Sequence, residues 1–198
     1  MEAICETCIE IWGCFMNAIE ESYLLGNRYK IEKRIGVGGM AEVYKAQDTV
    51  LERPVAVKVL LSKYADDTAF SERFKNEARS AARLGSPHIV GVHDWGEDEG
   101  RCYIVMEYVQ GTDLKKIVKR QGRLTPRRVA EVASQVCSAL AEAHAHGVIH
   151  RDIKSSNIMI QQSGNVKIMD FGIAQAAGEV RGGSVMGTVH YMSPEQIK

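Results

Sequence analysis

The sequence lacks a net charge, a long apolar run and a basic N-terminus. Its 25 Lys and Arg residues balance 25 Asp and Glu residues over 198 positions, so the overall charge shows no electrostatic footprint for nucleic acid or anionic lipid. No stretch reaches the ~18 consecutive apolar residues that span a bilayer. The first basic residue is Arg28, so the positively charged start of a signal peptide is missing too. These absences predict a cytoplasmic protein with no nucleic-acid partner and no membrane segment, with an anchor expected only if a C-terminal region is missing.

Cysteine and histidine are too sparse near the N-terminus to form a metal site. The chain has five cysteines, and Cys5 and Cys8 form a C-x-x-C pair that Cys14 follows. A structural zinc site needs four ligands, and the first histidine is His88. Because the cysteine count is odd and the spacing matches no disulfide framework, we expect reduced thiols in a cytosolic protein.

The first 27 residues differ from the rest in charge and in periodicity. They contain five Glu and no Lys or Arg. Their apolar residues recur at the three- and four-residue steps of a helix face. The residues on that face are Ile4, Cys8, Ile11, Phe15 and Ile19. We therefore predict an amphipathic helix that forms an N-terminal extension over residues 1–27.

From Tyr29 the pattern changes to short strands rich in β-branched and aromatic residues, separated by glycine-rich or polar turns. The predicted strands are Tyr29–Ile35, Glu42–Gln47, Val55–Leu60, Ile89–Asp94 and Cys102–Tyr108. Helical spacing over Asp67–Leu84 lies between the third and fourth strands, and an acidic turn over Gly96–Gly100 joins the last two. Five strands with one helix predict an α+β lobe.

The region after this lobe is mainly helical. A short helix is predicted over Asp113–Gln121, and Thr125 caps a longer one with Pro126 at its first position and Gly147 just past its end. The apolar face of the longer helix is Val129, Val132, Val136, Leu140 and Ala143. Short extended pieces follow at Ile158–Ile160 and Val166–Met169, and the glycine-rich segment Gly172–Gly187 is predicted to be a loop.

Four segments concentrate polar chemistry. The glycine-rich segment Gly36–Val43 lies between two strands, and a dinucleotide-binding loop would instead open a helix. Lys58 lies inside an apolar strand, where an ammonium is costly unless paired; Glu77 is the natural partner, and an edge-strand lysine reaching water is the alternative. His150–Asn157 places four ionisable side chains and three further polar ones between apolar stretches. Asp170–Gly172 follows a predicted strand, where a plain turn is also possible.

In this order the segments resemble the motif set of eukaryotic-type protein kinases. The resemblance runs from Tyr29 to the last residue, includes the closing Ser193–Glu195, and is strongest to bacterial serine/threonine kinases. Lys154 and Thr188 mark the Ser/Thr branch rather than the Tyr branch. The resemblance implies a kinase domain over 28–198. Its N-lobe (28–108) would hold a five-stranded antiparallel sheet with one helix, and its C-lobe (109–198) would be partial and mainly helical.

The resemblance also implies ATP and Mg²⁺ as cofactors and a role for each motif residue. Asp152 would orient the substrate hydroxyl, Lys154 would neutralise the transferring phosphoryl group, and Lys58, paired with Glu77, would hold the α- and β-phosphates. Asn157 and Asp170 would bind Mg²⁺, and Met106 would be the gatekeeper of the adenine pocket. The other nucleotide-binding residues would be Ile35, Gly36, Val37, Gly38, Gly39, Met40, Ala41, Glu42, Val43, Ala56, Glu107, Val109 and Met159.

The implied partners are protein substrates bearing Ser or Thr, with self-association or autophosphorylation as a further expectation. Arg151 is expected to be buried beside Asp152, where it would need an anion, and a phosphate on Ser184 is the main candidate. Thr188 is expected to contact the catalytic loop instead.

Two departures from the family pattern affect the expected activity. Ala41 replaces the third glycine of the loop, which is tolerable if its φ is negative. The chain also stops at Lys198, before the central helix that normally supports the catalytic loop. The sequence therefore predicts a serine/threonine kinase fragment, and it leaves open a catalytically inactive nucleotide-binding or interaction remnant.

Overall fold

The computed structural model describes residues 19–64, 67–171 and 191, without the side chain of residue 73. Strands β1 to β6 form an antiparallel sheet in the order β1-β2-β3-β4-β6-β5, and β7-β8-β9 form a smaller one. The elements are β1 (Leu24–Leu25), β2 (Tyr29–Val37), β3 (Ala41–Asp48), β4 (Arg53–Leu60), α1 (Thr68–Ala81), β5 (Val92–Asp98), β6 (Arg101–Glu107), β7 (Gly111–Asp113), α2 (Leu114–Gln121), α3 (Pro126–Ala145), β8 (Ile158–Gln161) and β9 (Val166–Ile168).

Strand β4 lies inside the larger sheet because both of its edges are paired, with β3 on one side and β6 on the other. Alternation sends Val55, Val57 and Val59 to one face, where they pack in a core with Tyr29 and Tyr44. Lys58 lies on the opposite face, as the alternation of side chains along a strand requires.

Helix α1 covers that opposite face and brings Glu77 to it. Asp67 caps the helix, since its carboxylate accepts hydrogen bonds from the amides of Ala69 and Phe70. Phe74 and Ala78 pack against the sheet in a second core. The helix therefore begins where the sequence predicts and ends at Ala81, three residues before the predicted Leu84.

Residues 19–27 do not form the predicted helix. Ile19 is buried in the core of the larger sheet, and Leu24–Leu25 pair with β2 as a sixth strand. The Tyr23 hydroxyl donates to Asp98 at 2.8 Å. These contacts make residues 19–27 part of the sheet, because backbone pairing and burial there outweigh the helical spacing. The predicted helix over residues 1–18 lies outside the described residues.

Strand β5 is shifted from its predicted position. The sequence predicts Ile89–Asp94, but the strand runs over Val92–Asp98, and Ile89 instead bridges Ile168 of the smaller sheet. The hairpin pairing reaches Asp98 opposite Arg101. The predicted turn over 96–100 therefore shrinks to two residues, both with the positive φ that a tight hairpin requires.

Helix α3 packs its apolar face against the smaller sheet. The Thr125 hydroxyl accepts from the amide of Arg128, and Pro126 is at the first helical position, as predicted. Val132, Ala139 and Ala143 share a core with strands β8 and β9. Val129, at the start of the predicted apolar face, is 51% exposed. No helix among the described residues is long and apolar enough to cross a membrane.

Candidate active site

Lys58 is the centre of a buried ionic cluster. Its ammonium lies 3.2 Å from a carboxylate oxygen of Glu77 and 3.1 Å from one of Asp170. The lysine side chain is 6% exposed and belongs to an inner strand, so the edge-strand alternative is wrong. The predicted Lys58–Glu77 pair is present, and the cluster joins the larger sheet to the segment that follows β9.

The electrostatics of this cluster keep the ammonium charged. Burial opposes the charge on Lys58, but Asp170 and then Glu77 outweigh it, so the lysine pKa is raised. Burial also raises the pKa of Glu77 to about 7, against the opposing pull of Lys58. Asp170 is the more exposed carboxylate, at 32%. An arriving anion can therefore compete most easily with Asp170 for the ammonium.

His150 fixes the loop that carries the second polar cluster. It is buried, its Nε2–H donates to the carbonyl of Met169 at 2.9 Å, and its Nδ1 accepts from the amide of Asp152 at 3.2 Å. These bonds suit the neutral ring, and burial lowers its pKa. The ring also meets Phe171 edge-on, with centroids 4.6 Å apart. His150 thus ties the loop bearing Asp152 to the segment bearing Asp170.

Asp152, Lys154 and Asn157 form the second cluster. The Lys154 ammonium lies 2.6 Å from Oδ2 of Asp152. The Asn157 amide nitrogen donates to the Asp152 carbonyl at 2.9 Å and to the same Oδ2 at 3.2 Å. With Oδ2 held in this way, Oδ1 of Asp152 accepts no hydrogen bond from a described residue. The amide nitrogen of Asn157 faces Asp152, so its amide oxygen is left for another ligand.

Two site residues have left-handed backbones. Arg151 has φ 62° and Asp170 has φ 60°, a conformation that costs non-glycine residues of order 1 kcal/mol and clusters at functional sites. Asp170 belongs to the Lys58 cluster, and Arg151 directly precedes Asp152 of the second cluster. Arg151 is exposed, so the expectation that it is buried is wrong. Ser184, Thr188, the loop over 172–187 and the closing motif lie outside the described residues.

The glycine-rich segment is the hairpin between β2 and β3. The amide of Gly38 donates to the carbonyl of Ala41 at 2.9 Å, and Ala41 is not among the residues with positive φ, so alanine is tolerated there. Val43 stands opposite Lys58 in the sheet register. The Glu42 side chain turns away, because Arg34 and Tyr44 donate to its carboxylate. Any role of Glu42 toward a nucleotide is therefore limited to its backbone.

The remaining pocket residues fall on four separate elements. Ala56 stands opposite Met106 in the register of β4 and β6, and Met159 lies on β8 opposite Lys167. Ile35 and Val37 are 45% and 69% exposed on β2. A small cavity has Met106, Lys58, Glu77, Asp170 and Phe171 among its lining residues. The adenine contacts of Val43, Ala56, Val109 and Met159 stay predictions.

Glu107 has a contact that the sequence did not indicate. Its carboxylate accepts from the Lys167 ammonium at 2.7 Å and from the Gly91 amide at 3.3 Å, and its own amide donates to Gly91 at 2.8 Å. Its side chain therefore ties the larger sheet to β9 rather than facing a nucleotide. Sixty residues separate Glu107 from Lys167, and local periodicity carries no signal of such a pair.

Comparison with known proteins agrees with this geometry. A family model for the protein kinase domain matches residues 29–198. The chain belongs to the protein kinase family. The kinase domain match covers both polar clusters, the glycine-rich hairpin and the larger sheet from β2 onward. It also includes residues outside the described part of the chain.

Several similar curated kinases are bacterial. The chain is 48% identical over 178 residues to a probable serine/threonine-protein kinase of Clostridium acetobutylicum and 46% identical over 177 residues to the serine/threonine-protein kinase PrkC of Bacillus subtilis. Each alignment covers 88% of this chain and 27% of the relative. The serine/threonine-protein kinase PknB of Mycobacterium tuberculosis is 46% identical over 183 residues, with 88% and 29% covered. The chain thus spans less than a third of the length of these relatives.

Solved structures confirm the kinase fold. The PknI kinase domain of Mycobacterium tuberculosis matches with a TM-score of 0.67 at 35% identity, over 79% of this chain and 62% of that one. The predicted fold class, an antiparallel sheet with one helix followed by a mainly helical part, is therefore confirmed.

Proposed function

We propose that this chain transfers the γ-phosphoryl group of ATP to serine and threonine hydroxyls of protein substrates. The observation that carries the proposal is the pair of linked clusters, Lys58 with Glu77 and Asp170, and Asp152 with Lys154 and Asn157. The names of the similar bacterial kinases support the same chemistry. We further propose residues 28–108 and 109–198 as the two lobes, with residues 1–27 as an extension whose last part joins the sheet.

The donor set suits Mg²⁺ held jointly with a nucleotide. Among the described residues no group of three or more His, Cys, Asp or Glu could hold a metal ion. Mg²⁺ is commonly bound by one or two protein oxygens together with substrate phosphates rather than by an all-protein cage. A carboxylate oxygen of Asp170 and the amide oxygen of Asn157 would hold it here. The chemistry that Mg²⁺ would supply there is an offset of the negative charge of the phosphates.

The protein side chains divide the remaining tasks. Lys58 is charged and buried, so it would attract the α- and β-phosphates. Its ion pair with Glu77 would keep it in place if Asp170 held the metal. Oδ1 of Asp152, which has no hydrogen-bond partner among the described residues, would accept the hydrogen of the substrate hydroxyl and orient its oxygen. Lys154, already beside Asp152, faces the negative charge that passes between nucleotide and substrate.

The adenine ring is proposed to lie between Val43 and Ala56 on one side and Met159 on the other. The backbone between Glu107 and Val109 would pair with its edge. The Glu107 amide already donates to Gly91, so we assign the pairing to other backbone groups of this segment. The cytoplasmic location and the phosphorylation of Ser184 stay predictions.

Phosphoamino-acid analysis tests the proposed reaction. The full chain is incubated with Mg²⁺-ATP and a generic protein substrate, and the labelled residues are identified. Phosphoserine or phosphothreonine that disappears with Asp152→Asn supports the proposal. An ATP-dependent rise in melting temperature without transfer supports the alternative, a catalytically inactive nucleotide-binding remnant. If neither transfer nor a thermal shift is observed, the proposed kinase function and the nucleotide-binding alternative are both contradicted.

A further inference from the structure

A run of basic residues covers helix α2 and the start of α3. Residues 114–130 contain seven Lys and Arg and no Asp or Glu, although the whole chain has no net charge. Lys116 pairs with Asp113, and Arg127 and Arg128 pair with Glu131. The other four basic side chains have no carboxylate within ion-pair distance in the part of the chain that the structure describes, and all four are exposed. They are Lys115, Lys119, Arg120 and Arg123.

An open groove of about 580 Å³ lies beside this basic run. Arg120 stands on its wall, and two isoleucines, Ile117 and Ile160, give it apolar surface. Side-chain amides line much of the rest: Gln110, Gln121, Gln161 and Gln162. Amides can donate to and accept from an extended backbone, and the isoleucines offer contact to an apolar side chain. The groove therefore has the chemistry of a peptide site with a positive border.

We propose that this groove docks an extended acidic segment of the protein substrate. That the occupant is a protein substrate rests on the proposed function. That the occupant is acidic rests on charge complementarity with the basic side chains. Nucleic acid is disfavoured because single-strand binding commonly uses aromatic side chains on which successive bases stack. Among the described residues that line the groove, Tyr108 is the only aromatic one, and it already faces the Lys45 ammonium at 5.5 Å. A membrane surface is disfavoured because the site is concave.

The groove is joined to the proposed active site by one strand. Strand β8 begins directly after Asn157 and ends at Gln161, which lines the groove. A segment bound in the groove would hold a tethered serine or threonine near Asp152 and raise its local concentration. Docking of this kind lowers KM and leaves kcat unchanged, because the docked residues take no part in the transition state.

Binding can be measured without ATP, so this test does not depend on catalysis. The probe is a fluorescein-labelled 12-residue peptide of Glu, Asp and Leu, and its partner has Gln and Asn in place of the acids. We expect the full chain to bind the acidic peptide only, with affinity weakened about tenfold by Arg120→Glu. Gln161→Ala should also weaken it. Arg83→Glu, an equal charge change on an exposed residue after α1, should have no effect.

A charge swap keeps the test independent of folding. Arg120→Glu should gain affinity for a Lys version of the peptide, and its melting temperature should match that of the wild type. Equal binding of the acidic and amide peptides would overturn the proposal. So would a single-stranded oligonucleotide or phosphatidylserine vesicles that bind as tightly and respond equally to Arg120→Glu.

A kinetic measurement separates docking from the proposed function. A threonine peptide joined to the acidic segment should show a lower KM than one joined to the amide segment, at equal kcat. Transfer to both peptides with equal KM would overturn the docking role. Acidic-peptide binding without transfer to any peptide would contradict the proposed function and, with it, the substrate role of the groove.

Discussion

Replacing Lys58 with methionine should make the folded state sensitive to alkaline pH. The change leaves the carboxylates of Glu77 and Asp170 facing each other without the ammonium that now lies within 3.2 Å of both. Breaking a buried ion pair by removing one partner costs about 3–5 kcal/mol. Glu77 can limit this cost by binding a proton, because burial already raises its pKa to about 7. In the variant its pKa should rise further.

The direction in which the free energy of unfolding changes with pH follows from proton binding to Glu77. A carboxyl whose pKa is raised by folding holds more protons in the folded than in the unfolded state, so the free energy of unfolding falls as pH rises toward the folded pKa. Wild-type Glu77 should contribute this slope up to about pH 7. In Lys58→Met the slope should continue, and between pH 7 and 8.5 the loss should approach about 2 kcal/mol, at 1.36 kcal/mol per unit.

Urea unfolding at several pH values measures this effect. The matched control is Lys58→Met combined with Glu77→Gln, which removes the titrating carboxyl and should remove the additional slope. The reasoning is refuted if Lys58→Met is no more pH-sensitive above pH 7 than the wild type, or if the double variant retains the slope.

Three further predictions concern the loop and the sheet. Because burial lowers the pKa of His150, its neutral ring stabilises the fold above about pH 6.5, and this stabilisation is lost as pH falls below that value. Urea unfolding at pH 7.5 and 5.5 should show a smaller loss of stability for His150→Gln than for the wild type. An equal loss in the two proteins would contradict this role of His150. Gly26→Ala should lower the free energy of unfolding by about 1–3 kcal/mol, because Gly26 has φ 57° and a Cβ there would meet the Tyr103 hydroxyl at 2.2 Å. Adding Tyr103→Phe should recover part of that loss. If nothing is recovered, the loss comes from the backbone conformation and not from the contact with the hydroxyl. Phe74→Ala should lower the free energy of unfolding, measured with urea, by about 3–5 kcal/mol, because Phe74 is 4% exposed between α1 and the larger sheet. A loss below about 1 kcal/mol would mean that this core does not hold α1 in place.

Local pattern was sufficient for the elements with strong periodicity. The alternation of β4 and the spacing of α1 predict their faces, and the cost of an unpaired ammonium in an apolar strand predicts the Lys58–Glu77 pair. The cap at Thr125 is likewise a local signal. The predicted helix through residue 27 failed at residues 19–27, because burial of Ile19 and pairing of β1 with β2 depend on distant parts of the chain.

Two contacts of the site could not be predicted from the sequence because they join residues that are far apart along the chain. Asp170 shares the Lys58 ammonium across 112 residues, and Glu107 reaches Lys167 across 60; neither contact follows from spacing. The shift of β5 also results from a long-range contact, since Ile89 forms a β-bridge with Ile168 of the smaller sheet. The motif residues were recognisable from their order, whereas the contacts that bring them together required the fold.

Single-turnover phosphoryl transfer by Asp152→Asn tests the central claim most directly. Asp152 is assigned to the substrate hydroxyl, so the variant should lose about 10²- to 10⁴-fold in rate and keep the thermal shift that Mg²⁺-ATP produces. Asp98→Asn, an equal charge change beside Tyr23 in the larger sheet, is the matched control and should retain the rate. Transfer at the wild-type rate by Asp152→Asn, or loss of its nucleotide-dependent thermal shift, would contradict the assignment.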